Sequence, residues 1–151
     1  MLDDLDRRLL RRLQTNPAMP VAELCDAVGS TAAVTSRRLA RLRADRIILG
    51  KEAIIDWFKL GYNVEVSLRV GLDKTQSRAF DDFIAAAREV PEVIEIQTFL
   101  GRVDVRLSVI AKDMTQYQQI YRARILTLPH IADIEALMQV ARIKSDEVLP
   151  V

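Results

Sequence analysis

The chain has 151 residues, half of them hydrophobic, and a formal net charge of +1, enough material for one ordinary domain or two small ones with a real core. No apolar run approaches the roughly 18 residues needed to span a bilayer, and the charged opening MLDDLDRR is unlike a secretory signal, which points to a cytoplasmic protein. The single cysteine, Cys25, excludes an intramolecular disulfide and a Cys-rich metal site, and the single histidine, His130, leaves zinc or a Ser-His-Asp triad poorly supplied, so no cofactor is expected.

The first half reads as short helices. LDDLDRRLLRRLQTN spaces Leu2, Leu5, Leu9 and Leu13 at helical intervals, with acidic residues in the first turn where the helix dipole favours them. Asn16 and Pro17 end it. Pro20 opens VAELCDAV, in which Val21, Leu24, Cys25 and Val28 share a face, and Gly29 supplies the left-handed residue that commonly closes a helix. Thr31 is the expected N-cap of the next helix, its hydroxyl accepting from a free backbone N–H.

In that third helix Thr35, Leu39 and Leu42 fall on one face and predict packing against the first two helices. The opposite face is Ala33, Arg37, Ala40 and Ala44, flanked by Ser36 and Arg41. Residues 31–46 hold Arg37, Arg38, Arg41, Arg43 and Arg46 against Asp45 alone. Small side chains let a helix backbone approach a surface closely, and arginines at its edges suit phosphates and guanine edges. Two helices joined by a tight glycine turn, the second carrying this face, predict a helix-turn-helix that lays its second helix in a major groove. IILGKEAIIDW reads as a short hairpin or extended wing, with Lys51 at its tip able to reach a phosphate, and residues 52–62 as a linker.

The second half changes period. NVEVSLRVGL alternates with Val64, Val66, Leu68 and Val70 on one face, and QSRAFDDFIAAAREV returns to helical spacing through Phe80, Phe83, Ile84 and Ala87. VIEIQTFL and VDVRLSVI alternate again on either side of Gly101 and Arg102, a helix runs from Met114 through Tyr117 and Tyr121 to Leu128, and IADIEALMQVARI supplies a last strand after Pro129. Strand, helix, strand, strand, helix, strand is the ferredoxin-like split arrangement, so the fold class is α+β. Its uncovered sheet face would show Glu65, Ser67, Arg69, Gln97, Phe99, Ser108, Ile110, Leu137 and Ala141, a mixture apolar enough to predict burial against a second copy in a two-fold dimer. Such a dimer would place paired helices on successive turns of a pseudo-palindromic duplex.

Taken in order, LDDLDRRLLRRLQTN, GSTAAVTSRRLARL, IILG, FLGRVD, LPH and the terminal VLP resemble the Lrp/AsnC, or feast/famine, transcriptional regulators over nearly the whole chain. The resemblance implies a winged helix-turn-helix over residues 1–51, a linker over 52–62, and a ferredoxin-like domain over 63–151 that binds small effectors, often amino acids, where dimers meet in octamers or similar discs. Carried over residue by residue, the turn usually reads glycine, leucine, serine and is here Gly29, Ser30 and Thr31. The effector loop is commonly glycine, acidic, aromatic, aspartate, aromatic and is here Gly101, Arg102, Val103, Asp104 and Val105; Gly101 and Asp104 match. An Arg102 guanidinium suits a carboxylate or phosphate on the ligand. His130 stands where the family often has glycine.

The expected DNA-binding residues are therefore Thr31, Ala33, Ser36, Arg37, Arg41 and Lys51, and the expected effector residues Gly101, Arg102 and Asp104. The partners are double-stranded DNA, a small metabolite such as an amino acid, and further copies of the chain. Two other readings stay open: an architectural DNA-binding protein without an effector, and an enzyme resembling the sirohaem decarboxylases, which would need titratable groups beyond His130.

Overall fold

The computed structural model describes residues 1–145 and 148–151, and the chain divides into two compact units. The first is Met1–Ile54 together with Lys144–Val151; the second is Ile55–Ile143. The last residues thus cluster with the first unit, whereas the sequence places them at the end of a 63–151 domain.

The first unit is helical. Helix α1 (Asp4–Thr15) starts on a reciprocal capping box in which the Asp6 backbone N–H donates to Asp3 Oδ1 at 2.9 Å and the Asp3 N–H donates to Asp6 Oδ2 at 3.1 Å. Helix α2 (Val21–Val28) ends on Gly29, which at φ 65 lets the next N–H, that of Ser30, reach back to the Cys25 carbonyl at 2.9 Å. Helix α3 (Ala32–Ala44) is capped by Thr31, whose Oγ1 accepts from the Val34 N–H at 3.3 Å. Leu9, Leu24, Val28 and Leu39 form the core, with Leu5, Leu13, Met19 and Ile48 packed around it, and Leu42 and Thr35 are also buried. Truncating a side chain such as Leu9 to alanine costs about 2–5 kcal/mol. Val21, expected on the inner face of α2, lies outside it at 37% exposure.

The expected wing is not a hairpin. No strand forms in the described residues between 45 and 57. Arg46 takes the left-handed conformation, φ 56, and the Ile47 and Ile48 N–H groups close on the Leu42 carbonyl at 2.9 and 3.1 Å. That turn terminates α3, and Gly50 is not among the residues with positive φ, so the tight reversal that a two-residue hairpin requires is missing. The tail returns to α1: the Gln14 side-chain amide donates to the Leu149 carbonyl at 3.2 Å and accepts its N–H at 2.5 Å, and the Arg11 Nε donates to the Val151 carbonyl.

The second unit is an antiparallel sheet in the order β2-β3-β1-β4, from β1 (Val64–Leu72), β2 (Val93–Thr98), β3 (Val105–Ala111) and β4 (Ile131–Met138). Helices α4 (Ala79–Arg88) and α5 (Met114–Ile120) cover one face. Val66, Leu68 and Val70 of β1 and Val105, Leu107 and Val109 of β3 pack there with Phe83, Ala87, Tyr117 and Ile125. Period two in the strands and roughly 3.6 in the helices are what bring these residues together. Phe80, expected in this core, is 44% exposed. Beyond α5 the helical path continues as a wider π-turn over Tyr121–Ile125, closed by the Leu126 N–H on the Tyr121 carbonyl at 2.9 Å.

The other sheet face is the mixture the sequence predicts, with pairings that the sequence does not show. Ile110 and Leu137 stand on it as expected, opposite Glu65 and Ser67, and the polar residues around them are paired: Arg106 with Glu95 at 2.7 Å, Arg69 with Glu135 at 3.8 Å, and Ser108 donating to Glu65 at 3.0 Å. Arg142 donates from Nη2 to both Glu65 oxygens at 2.9 and 3.0 Å while its guanidinium lies 5.3 Å from the centre of the Trp57 ring. Phe99 and Ala141 fall outside the strands. This cross-strand pairing of opposite charges is invisible until the register is known.

Candidate nucleic-acid interface and effector loop

On α3 the division of faces follows the sequence. Thr35, Leu39 and Leu42 point inward, and Thr31, Ala33, Ser36, Arg37, Ala40, Arg41 and Ala44 are exposed. Thr31 is anchored as the cap, so its hydroxyl has a structural task already. Lys51 is exposed on the strandless segment that replaces the wing.

The arginines are less alike than the sequence suggests. Read along the helix alone they have almost no acidic mates, but folding brings two from α1. Arg38 pairs with Asp3 at 2.6 Å and with Asp6 at 3.4 Å, and Arg41 pairs with Asp6. The idea that the cationic edge is unpaired is therefore corrected for Arg38 and Arg41. Among the described residues Arg37, Arg43 and Arg46 have no ion-pair partner, and all three are exposed. The Asp6 N–H, and then the Arg38 guanidinium, hold the Asp3 carboxyl below the usual carboxylate range. Asp3 and Asp6 were missed because their partners lie some 30 residues away in the chain, and their place in the first turn of α1 is already explained by capping.

In the second unit the loop between β2 and β3 carries Gly101, Arg102 and Asp104. Gly101 sits at φ 156, in the half of conformational space that side chains disfavour. The Phe99 N–H donates to the Asp104 carbonyl at 3.0 Å and closes the loop, leaving Leu100 fully exposed at its tip. The Asp104 carboxylate is turned inward: Oδ2 accepts the Leu72 N–H at 2.8 Å, at the irregularity where β1 shifts register against β4, and Oδ1 is 3.5 Å from Lys74 Nζ. Asp104 thus ties the loop to the end of β1, and Lys74 joins it, a residue that sequence reasoning did not single out. Arg102 is exposed and has no ion-pair partner among the described residues. The Asp133 carboxylate lies over Gly71 beside that same irregularity, occupying the space a Cβ there would need.

On the other side of the same strand end, where Leu72 pairs with Ile131, His130 holds a left-handed conformation, φ 64, and its Nε2 is 3.2 Å from Asp82 Oδ2. No group of three His, Cys, Asp or Glu side chains able to hold a metal ion occurs among the described residues.

Comparison with known proteins matches the AsnC-type helix-turn-helix domain over residues 2–43 and the Lrp/AsnC ligand-binding domain over residues 65–149. The chain belongs to the Lrp/AsnC family. The Escherichia coli DNA-binding transcriptional activator DecR is 29% identical over all of this chain and 99% of its own length. The proline dehydrogenase transcriptional activator of Rhodobacter capsulatus is 33% identical over 87% of this chain and 86% of its own. A transcriptional regulator from Neisseria meningitidis, solved as a complex with L-methionine, superposes with a TM-score of 0.92 at 25% identity, covering 99% of this chain and 97% of that one. As a Lrp/AsnC protein the chain is a DNA-binding transcriptional regulator, built from a helix-turn-helix and a ferredoxin-like ligand-binding domain. No helix among the described residues is long and apolar enough to cross a membrane.

Proposed function

We propose that this regulator works in the cytoplasm, reading specific duplex sequences with the exposed face of α3 and responding to a small carboxylate-bearing metabolite of the amino-acid class. The reading domain is residues 1–51, with 52–62 as linker and the effector and assembly domain beginning at 63. The observation that carries the DNA assignment is Arg37: an exposed guanidinium without an ion-pair partner among the described residues, set between Ala33, Ser36 and Ala40 and directly opposite the buried Thr35, Leu39 and Leu42. In a major groove Ala33 allows close approach, Ser36 and Arg37 meet base edges, and Thr31, Arg41 and Lys51 face the flanking phosphates.

Gly101, Arg102 and Asp104 form the effector loop. Asp104 and Lys74 hold its base, and the unpaired Arg102 meets the carboxylate of the ligand. The L-methionine complex of the Neisseria relative supports an amino acid as the class of ligand. Self-association rests on the mixed sheet face, covered by a second copy, and on exposed apolar residues at the edges of the second unit, Phe58, Leu60, Met138, Val140 and Ile143. Ligand entry near the loop would alter how the paired reading helices are placed.

The test has two arms. Binding to a duplex selected by the protein from a random-sequence library must survive excess unrelated DNA; loss to competitor at mass-action levels would make the protein an architectural binder. Titration with L-methionine and other amino acids must raise the melting temperature, because a ligand of the native state stabilises it by mass action.

A further inference from the structure

Asp6 is a fully buried carboxylate on α1, a helix that contributes nothing to the exposed stripe of α3. Its oxygens accept the Asp3 backbone N–H at 3.1 Å, face the Arg38 guanidinium at 3.4 and 3.5 Å, and are bonded by Arg41. Capping alone explains one of these bonds. The rest reach across to α3, one turn apart along the edge that borders Ala33 and Arg37. Arg41 nonetheless keeps 43% of its side chain exposed, so the donors of its planar fork that are not turned to Asp6 remain available outward.

We propose that Asp6 is a positioning residue for DNA reading: it grips one edge of Arg41 so that the other is presented, already oriented, to a phosphate beside the groove, and with Arg38 it sets the rotation of α3 about its axis. Burying a charge is costly and is offset here by the Asp3 backbone N–H and the two guanidinium groups, so removing the charge loosens Arg41 and leaves Arg38 held by Asp3 alone. A held guanidinium loses less side-chain freedom on binding than a free one, and the gain appears only where the phosphate lies in the matching place. Specific and non-specific DNA therefore differ in how much they profit from Asp6. This assignment rests on α3 being the reading helix.

The test compares the parent with Asp6→Asn, Arg41→Ala and the double variant on the duplex selected by the parent from a random library and on a scrambled duplex of equal length, over a range of salt. Asn keeps the volume and the oxygen that accepts from both Asp3 and Arg41, so what it removes is the charge and the acceptor that faces Arg38. Asp6→Asn should weaken the selected duplex about tenfold, leave the scrambled duplex unchanged or slightly tightened by the lost negative charge, and have no further effect once Arg41 is alanine. Equal losses on both duplexes, or the same loss in the Arg41→Ala background, would overturn the proposal and leave Asp6 a stability residue. Should Asp6→Asn fail to fold, Arg41→Lys replaces it: the cation stays and the fork goes, so the selected duplex should weaken while the salt slope holds, and unchanged affinity overturns the idea. Arg37→Ala serves as the separate control; if it leaves the selected duplex untouched, the assignment of α3 itself has failed rather than that of Asp6.

Discussion

His130 meets Asp82 with Nε2 3.2 Å from Oδ2 while its own backbone is held at φ 64, a conformation that glycine adopts freely and other residues reach only at about 1–3 kcal/mol. Its carbonyl accepts the Asp73 N–H at 2.8 Å, so the turn into β4 cannot relax without giving up that bond. His130→Gly and His130→Ala both lose the Asp82 contact, but only alanine keeps the strain. The glycine variant should be the more stable of the two by about 1 kcal/mol in denaturant unfolding. Equal midpoints would show that the turn changes shape instead.

Asp3 makes the acid side of stability testable. Its carboxyl is held below its ordinary value of 3.8, first by the Asp6 N–H and then by Arg38, so the charged form is favoured in the folded state. A depressed value means that the contribution is fully present above the ordinary value and is lost as the pH falls through the folded one. Asp3→Asn keeps a good helix cap but removes the charge. The melting temperatures of parent and variant should therefore differ near neutral pH and converge in strong acid; a gap that stays constant with pH would remove Asp3 from the electrostatic account.

Arg37 and Lys51 are expected to fail differently on DNA. Arg37→Ala should cost about 1–3 kcal/mol on the selected duplex and relax preference at one position, as for a base-reading guanidinium. Lys51→Ala should weaken all duplexes alike and reduce the salt slope by about one charge. A uniform loss with Arg37→Ala would demote it to a phosphate contact.

In the effector loop, Arg102→Ala should blunt the response of DNA binding to added amino acid while intrinsic DNA affinity stays near the parent's, because Arg102 makes no ion pair with the described residues and its loss opens no core. Calorimetric titration of both proteins with L-methionine and acidic amino acids checks this. A variant that responds like the parent removes Arg102 from the site.

Much of this was legible in the sequence because it depends on near neighbours. Helical and alternating periods place Leu9, Leu39, Val66 and Leu68 inside, Gly29 and Thr31 mark the turn, and the order of strands and helices yields the sheet. What escaped depends on distant partners or on a single torsion. The pairing of Arg41 with Asp6 and of Arg142 with Glu65 joins residues far apart in the chain, so α3 looked barer of acids than it is and the pairing on the open sheet face did not show. The hairpin form of the wing failed on Arg46, whose left-handed turn ends α3 where the β-branched residues beyond it suggested a strand. In the proposed effector loop the sequence singled out Gly101, Arg102 and Asp104, but not that the Asp104 carboxylate is occupied by the Leu72 N–H and Lys74.

The bond between Gln14 and the Leu149 backbone means that the helical unit is assembled from two separate stretches of sequence, one before the sheet domain and one after it. During synthesis its three helices emerge early but must wait for the entire sheet domain to be translated before the closing segment reaches them. A fragment cut between the two units is for the same reason an unfinished object, lacking the piece that follows the sheet.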